Sequence, residues 1–314
     1  MNYFFLYFIT AFIWGSTWLA IHFQLGSVSP LWSLAYRFAI ATVALWFYCF
    51  LTCRSLKFNS KQHNAIALQG LLMFSLNYVL YYFSAMYLNS GILAVIFATI
   101  ILMNIFNSRL FFKTPIDLPL FLAAIIGLLG LVQVFWSEFS KLHAAGGDVK
   151  SFGLGLVLAV AATYIASLGN MASAYTLRVY RLPIIESNTL GMAYGTLYLA
   201  AFAIIFGIEP NFDFSLIYSG SLIYLGLFGS VIAFGTYISL LNQIGPERVA
   251  YVFVVTPIVA LLLSTWFEDF HWSIGTFIGL FFVLLGNILV LNKKYFSARR
   301  ERDQLPKIGE ELTD

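Results

Sequence analysis

Residues 96–112 read IFATIILMNIFNSRLFF, and the apolar run after them, 123–135, reads AAIIGLLGLVQVF. Further along, 253–268 read FVVTPIVALLLSTWFE and 279–291 read GLFFVLLGNILVL. A shift of 156 residues lays the first pair on the second, with Ile101 on Pro257, Phe112 on Glu268, Ala123 on Gly279 and Gly130 on Gly286. These runs belong to apolar stretches of about 20 residues, the length that crosses about 30 Å of hydrocarbon. The chain therefore reads as two similar halves, each made of membrane-crossing helices.

Composition agrees with that reading. Of 314 residues, 61% are hydrophobic and 10% charged, against roughly 45–50% and 25% in soluble domains. So little charge cannot cover a water-facing surface, which excludes a soluble enzyme. Ten spans are expected at 3–22, 30–52, 64–87, 90–112, 117–137, 152–176, 184–207, 216–241, 247–267 and 273–292. The fold class is an all-α membrane protein of ten transmembrane helices. The first repeat is 1–137, a polar extracytoplasmic loop follows at 138–151, the second repeat is 152–292, and 293–314 reads as a solvated cytoplasmic tail. The opening MNYFFLYF lacks the basic region of a signal peptide, and its apolar run continues to about Ile21, so it reads as a span.

Lys and Arg placement sets the orientation. With a cytoplasmic N-terminus, 14 of the 17 basic residues face the cytoplasm, Lys141 and Lys150 face the other side, and Arg37 lies inside a span. Both termini are then cytoplasmic and the span count is even. Five spans per half is an odd number of crossings, so the second half starts on the opposite side. The repeat is expected to be inverted, 5+5, as in many secondary transporters.

Several chemistries drop out. The net charge of +3 forms no basic face, so no nucleic-acid partner is expected. Cys49 and Cys53 offer neither a disulfide framework nor enough ligands for a metal, and no metal or cofactor is expected. An intramembrane protease would need a His near a Ser at depth, paired membrane Asp residues, or HExxH. None of these occurs: His22, His63, His143 and His271 all sit at or outside span boundaries, and no Asp or Glu is mid-span. That also speaks against a simple carboxylate proton relay. Gly191/Gly195 and Gly275/Gly279 are GxxxG pairs suited to close helix packing, with a dimer seam as the alternative.

The motifs, taken in order, resemble a known family. WGSTW (Trp14–Trp18), YRFAIA around Arg37, GILAVIFATI (91–100) and PERVAYVFVVTPIVALLLSTWFE (246–268) resemble signatures of the drug/metabolite transporter superfamily, EamA-type, over about residues 5–292. The resemblance implies a ten-helix inverted-repeat transporter with a central cavity lined mainly by spans 1, 3, 4, 6, 8 and 9. Family members move amino acids, other metabolites or drugs, often outward. This chain departs from the pattern in its first half, with Ile101 where Pro is frequent and Phe112–Lys113 where Gly-Glu is frequent. The second half keeps both, as Pro257 and Glu268.

Transport replaces a solute's water with protein hydrogen bonds, and polar groups in a span turn away from lipid. Helical spacing aligns Thr10, Trp14 and Thr17; Asn77, Tyr81 and Ser84, with Tyr78 and Tyr82 beside them; Thr99, Met103 and Asn107, with Asn104 adjacent; and Thr163, Ser167 and Asn170. Ser230 and Tyr237 lie two turns apart, and Tyr251 stands above Thr256–Pro257. The expected substrate contacts are Trp14, Asn77, Tyr78, Tyr81, Thr99, Asn104, Asn170, Tyr237 and Tyr251. Ser and Thr can instead bond their own backbone, and aromatics at helix ends can form the interfacial belt.

Arg37 lies seven residues past Pro30, roughly 10 Å into the span. Its charge is expensive there unless paired. It can attract an anionic group such as a carboxylate, or tie helices together, with Glu268 as a candidate partner. Pro257 removes a backbone hydrogen bond and serves as a hinge or a static kink. The function expected is secondary transport of a small metabolite, export of amino acids or related amphipathic compounds, by alternating access. A multidrug or nucleoside carrier of the same fold is the alternative, and a non-transporting receptor or structural protein the alternative of another class. Its partners are a small-molecule substrate and the bilayer of a bacterial inner membrane, with monomer or homodimer left open.

Overall fold

The computed structural model describes residues 3–116, 118–144, 146–249 and 251–304. Among these the regular structure is helical, in ten rods. They are α1 (Tyr3–His22), α2 (Pro30–Leu51), α3 (Ser60–Ser84), α4 (Ser90–Phe112), α5 (Leu118–Ala144), α6 (Val149–Val179), α7 (Ile184–Ile205), α8 (216–249), α9 (Val252–Phe267) and α10 (Ile274–Gln304). Eight of them, α1 to α8, are long and apolar enough to cross a membrane, and Val252–Phe267 and Ile274–Val290 are shorter apolar helices. Helices suit such a sequence because hydrocarbon offers no partner for backbone N–H and C=O groups. Large apolar side chains on the outside, among them Phe4, Phe8, Phe12, Phe47, Phe50, Ile205 and Phe206, are exposed as a lipid-facing surface requires.

Local chemistry fixes the helix ends. Pro30 opens α2, Asn59 and Gln62 form a capping box at α3, and Asp148 and Ser215 cap α6 and α8. α4 and α9 end alike: Lys113 and Asp269 adopt φ of 57° and 51°, and the next amides close back, Thr114 N to Ser108 O and Phe270 N to Ser264 O. Between α2 and α3, Arg54 reaches Glu186 in the first turn of α7 at 3.1 Å. That bond to a carboxylate raises the guanidinium's pKa.

Several expected boundaries move, and the spans expected at 216–241 and 247–267 run instead over 216–249 and Val252–Phe267. The stretch 138–151 was expected as a loop, but α5 runs on to Ala144 and α6 starts at Val149. The polar residues there sit on helical turns and pair locally, Lys141 Nζ with Glu138 Oε1 at 2.6 Å, and Asp148 as the cap. The expected tail is helical as far as Gln304, while 305–314 lie outside the described residues. The expected span 64–87 begins at Ser60, where the capping box starts it, and ends at Ser84.

Glycines set the tightest seams. A Cβ on Gly130 would lie 2.5 Å from Val283 N and 2.6 Å from Gly279 O, so α5 and α10 meet backbone to backbone. Gly191 and Gly195 receive Phe74 of α3, and Gly275 and Gly279 receive Ser137 and Val134 of α5. Both GxxxG pairs are therefore spent inside the chain. Elsewhere α1 packs on α8 and α9, α2 on α7 and α8, α3 on α6 and α7, and α4 on α6 and α9.

Two spans leave regular α geometry. Leu72–Leu76 of α3 and Tyr224–Ile232 of α8 are π-helical, a wide turn often found at functional sites. In the second, Ser230 Oγ donates to Leu225 O, five residues back, at 2.9 Å. α4 is interrupted for one residue at Thr99, and Asn287 Nδ2 of α10 donates to Ala98 O at 3.1 Å.

Candidate substrate cavity

Both π-helical turns, the Thr99 break and the WGSTW turn of α1 border one internal cavity of about 390 Å³, inside the range of small-molecule sites. Its wall draws on α1, α3, α4, α6, α8 and α9, and on α2 through Arg37. The wall is mainly apolar and rich in aromatic rings, with three amides and one cation. Among the described residues no Asp or Glu lines it.

The aromatics form two clusters. Trp18 meets Tyr81 at 5.0 Å and Phe97 at 5.4 Å between ring centroids. Trp14 stacks on Phe253 at 5.3 Å and meets Tyr237 at 5.2 Å and Phe234 at 5.5 Å. The two indoles are four residues apart on α1, so one helical face serves both clusters. Phe97 and Phe253 join them edge to face at 6.4 Å.

Hydrogen bonds fix parts of this wall. Tyr81 is 2% exposed, and its hydroxyl meets Thr163 Oγ1 of α6 at 2.6 Å. Trp14 Nε1 donates to Gly229 O in the α8 π-turn at 3.3 Å. Asn104 is a shared acceptor, taking bonds from Ser167 Oγ at 2.8 Å and Asn170 Nδ2 at 3.3 Å. Asn107 supports the same group by donating to Ser167 Oγ at 2.9 Å. Asn77 is buried, and its Oδ1 has no hydrogen-bond partner.

Of the nine expected contacts, Trp14, Asn77, Tyr78, Tyr81, Asn104, Asn170 and Tyr237 line this one cavity. Thr99 does not. It is 1% exposed at the break in α4 and donates to Ile96 O at 2.6 Å, so its hydroxyl is used by its own backbone. Tyr251 precedes α9 and does not line the cavity; it packs against the cluster of Ile100, Ile105 and Val254, behind the wall residue Ile100. Pro257 is buried in α9 one residue after the cavity-lining Thr256, and it supplies no N–H to the carbonyl of Phe253.

Sequence reading missed much of the wall: Trp18, Phe97, Phe234 and Phe253 line it, as do Met73 and Ile100. A search for polar faces passes over apolar walls. Trp18 carried a signal, one turn from Trp14 in the same motif.

The expected Arg37–Glu268 pairing does not form. Glu268 instead sits at the start of α4, where Ser90 N donates to Oε2 at 3.0 Å and Ser90 Oγ at 2.5 Å, and His22 Nδ1 lies 3.2 Å from Oε1. The free amides of a helix N-terminus attract a carboxylate, which explains this choice of partner. Arg37 is 2% exposed and lines the cavity. Its Nε donates to Ser230 Oγ at 3.4 Å, and its guanidinium lies 4.7 Å from the Tyr78 ring centroid and 5.3 Å from that of Phe38.

The EamA-like transporter family model matches residues 1–136 and 153–292. An uncharacterized transporter in the trpA 3'region of Buchnera aphidicola subsp. Schlechtendalia chinensis is 28% identical over 276 residues, 86% of each chain. The uncharacterized inner membrane transporter YedA of Escherichia coli (strain K12) is 29% identical over 287 residues, 90% of this chain and 88% of its own. A crystal structure of a protein matches with a TM-score of 0.63 at 19% identity, over 94% of this chain and 97% of that one, a likeness of fold.

Proposed function

Because this chain belongs to the EamA-like transporter family, and is on that ground a membrane transporter, we propose that it moves a small amphipathic metabolite by alternating access. An amino acid or related compound is the cargo, export the direction, and the bacterial inner membrane the site. The observation that carries this reading is the cavity itself, aromatic and amide-lined, reached by side chains from seven helices. A relative named as an inner membrane transporter supports the location.

An inverted 5+5 repeat, with both termini cytoplasmic, is part of the proposal. Exchanging each helix for the one five later turns α1–α9 into α6–α4, α1–α8 into α6–α3 and α2–α8 into α7–α3, and all of these pairs pack. The shift of 156 residues carries the α3 π-turn, 72–76, onto 228–232, within the π-turn of α8. It also carries Lys113 onto Asp269, the left-handed residues that end α4 and α9. These correspondences support two halves that rock about the shared cavity.

The test is transport by the purified chain in liposomes, against a pool of radiolabelled amino acids, nucleosides and cationic dyes, with and without a pH gradient. Saturable flux of one class, lost in Trp14→Ala and Asn77→Ala, is expected. Flux equal to that of protein-free vesicles across the whole pool would overturn the choice of cargo. Saturable flux of dyes alone would replace it with the multidrug alternative.

A further inference from the structure

Arg37 is a charge without a counter-charge. It is 2% exposed, and arginine stays protonated in proteins. Among the described residues it takes part in no salt bridge: the three that form join His22 to Glu268, Arg54 to Glu186 and Lys141 to Glu138. Its Nη1 has no hydrogen-bond partner, and a Cβ on Gly229, another cavity residue, would lie 3.9 Å from its Nη2. A buried ion left this way is costly unless something supplies the opposite charge.

The surroundings hold the guanidinium in place without neutralising it. Tyr78 and Phe38 offer ring faces, which attract a cation but do not neutralise it. Ser230 is fixed by its own bond to Leu225 O, which turns a lone pair toward Nε. Nothing else charged lines the cavity among the described residues.

We infer that the cargo carries a carboxylate that Arg37 takes as its missing counter-ion, and that a positive charge on the cargo is not recognised. This rests on the transporter reading above and narrows it. One guanidinium balances one negative charge and matches a carboxylate's two oxygens as a fork. A phosphate monoester carries about −1.5 to −2 and would call for a second cation. With no acidic wall, an ammonium finds only amide oxygens and ring faces. The Trp14–Tyr237–Phe253 group provides a surface for a flat apolar body. The cargo class is thus a small carboxylate with an aromatic or similarly flat body, whether or not it also carries an amine.

Four probes with one ring and a short chain test this at pH 7: 3-phenylpropionate (anion), phenylalanine (zwitterion), 3-phenylpropionamide (neutral) and phenethylamine (cation). Each is measured for saturable binding to the purified full chain and for counterflow in proteoliposomes. The two carboxylates are expected to bind at least tenfold more tightly than the amide, with phenethylamine weakest. Arg37→Gln should weaken the two carboxylates at least tenfold and the amide far less, so that the preference is lost, and an unaltered melting transition shows that the variant is folded. Arg37→Lys should keep part of the preference. If Arg37→Gln does not fold, Ser230→Ala replaces it and should lower the carboxylate-to-amide ratio severalfold. Equal or better binding of the amine or amide by the unaltered chain would overturn the inference, as would an unchanged order in the variants. Flux of the neutral or cationic probe alone would overturn it and leave the transporter reading standing. No saturable binding of any of the four probes would overturn the inference and leave the transporter reading to the flux test above.

Discussion

Tyr81 and Tyr237 stand 156 residues apart, as do Phe97 and Phe253, and each pair contributes one residue to each of the two aromatic clusters along the cavity. Tyr81 is fully packed, and its hydroxyl is bonded to Thr163 at 2.6 Å. Tyr237 is half-buried, and its hydroxyl has no hydrogen-bond partner among the described residues. The position 156 residues before Thr163 is Tyr7, which packs in the same cluster as Tyr237 without a hydrogen bond to it. The two clusters share their residue types and differ in fastening. The first cluster is fastened through its tyrosine and the second through its indole, Trp14 Nε1 to Gly229 O at 3.3 Å, which leaves Tyr237 to ring contacts. The proposed alternation of access calls for two walls held differently in any single state.

The largest effect is expected where one change strikes both clusters. Gly15 lies between Trp14 and Trp18, and a Cβ there would sit 2.6 Å from Val259 Cβ and 3.1 Å from Thr256 O. Gly15→Leu drives α1 away from α9 and spreads both indoles. Overpacking of this sort costs about 1–3 kcal/mol, more against backbone, so monodisperse protein should be lost on size exclusion. Gly235→Ala is the control: nothing lies within 4 Å of its added Cβ, and alanine suits a helix better by about 0.5–1 kcal/mol. If Gly15→Leu ran as a single peak with unaltered melting, the α1–α9 seam would not be what couples the clusters.

A second, smaller pair of substitutions addresses the fastening alone. Tyr81→Phe deletes a buried hydrogen bond and should lower stability by about 1 kcal/mol. Tyr237→Phe should change it by a few tenths at most. Thermal melting in one detergent compares them directly. Equal losses would mean that Tyr237 has a partner as good as Thr163, and the asymmetry would be gone.

What the sequence made legible follows from how local each signal is. Length and apolar run decide a span, so all ten rods are legible, while four of them (α5, α8, α9 and α10) have an end five or more residues from the expected one, where polar residues continue or shorten a helix. The 138–151 stretch was misread because Glu138, Lys141, His143, Asp148 and Lys150 look like loop chemistry. On helical turns Glu138 and Lys141 pair and Asp148 caps. Asn77, Asn104 and Asn170 were legible as cavity residues because an amide in hydrocarbon must turn inward. Phe97, Phe234 and Phe253 were not, because a phenyl ring is equally at home against lipid, core or cargo. Glu268 is a candidate partner for Arg37 in the sequence because the two carry opposite charges and lie toward the same side. Which partner each takes depends on where helix N-termini fall in space, and the start of α4 claims Glu268. Thr99 looked like a wall residue from its spacing, which carries no information on a break in its own helix.

The smallest effect tests whether fastening travels along α6, the helix that holds Thr163. Asp148 caps that helix, Oδ1 accepting from Lys150 N at 3.0 Å and Ser151 N at 3.2 Å, and Oδ2 from Ser151 Oγ at 2.6 Å. The Ser151 hydroxyl first, then the Ser151 and Lys150 amides, favour the ionised form and lower its pKa below the ordinary 3.8, against a small desolvation cost. A depressed carboxyl pKa gives a contribution that is complete above the unfolded value and disappears as pH falls through the folded one. Amide exchange in the first turn of α6 should therefore quicken only under acid conditions, below that ordinary value. Asp148→Ala should show the quick rate at every pH. Because the cap is exposed and fifteen residues from Thr163, exchange around Tyr81 should not respond in either case. If the Tyr81 region loosened together with the cap, the lock on that cluster would be a property of the whole of α6, and the contrast with Tyr237 would have to be drawn between helices and not between two hydroxyls.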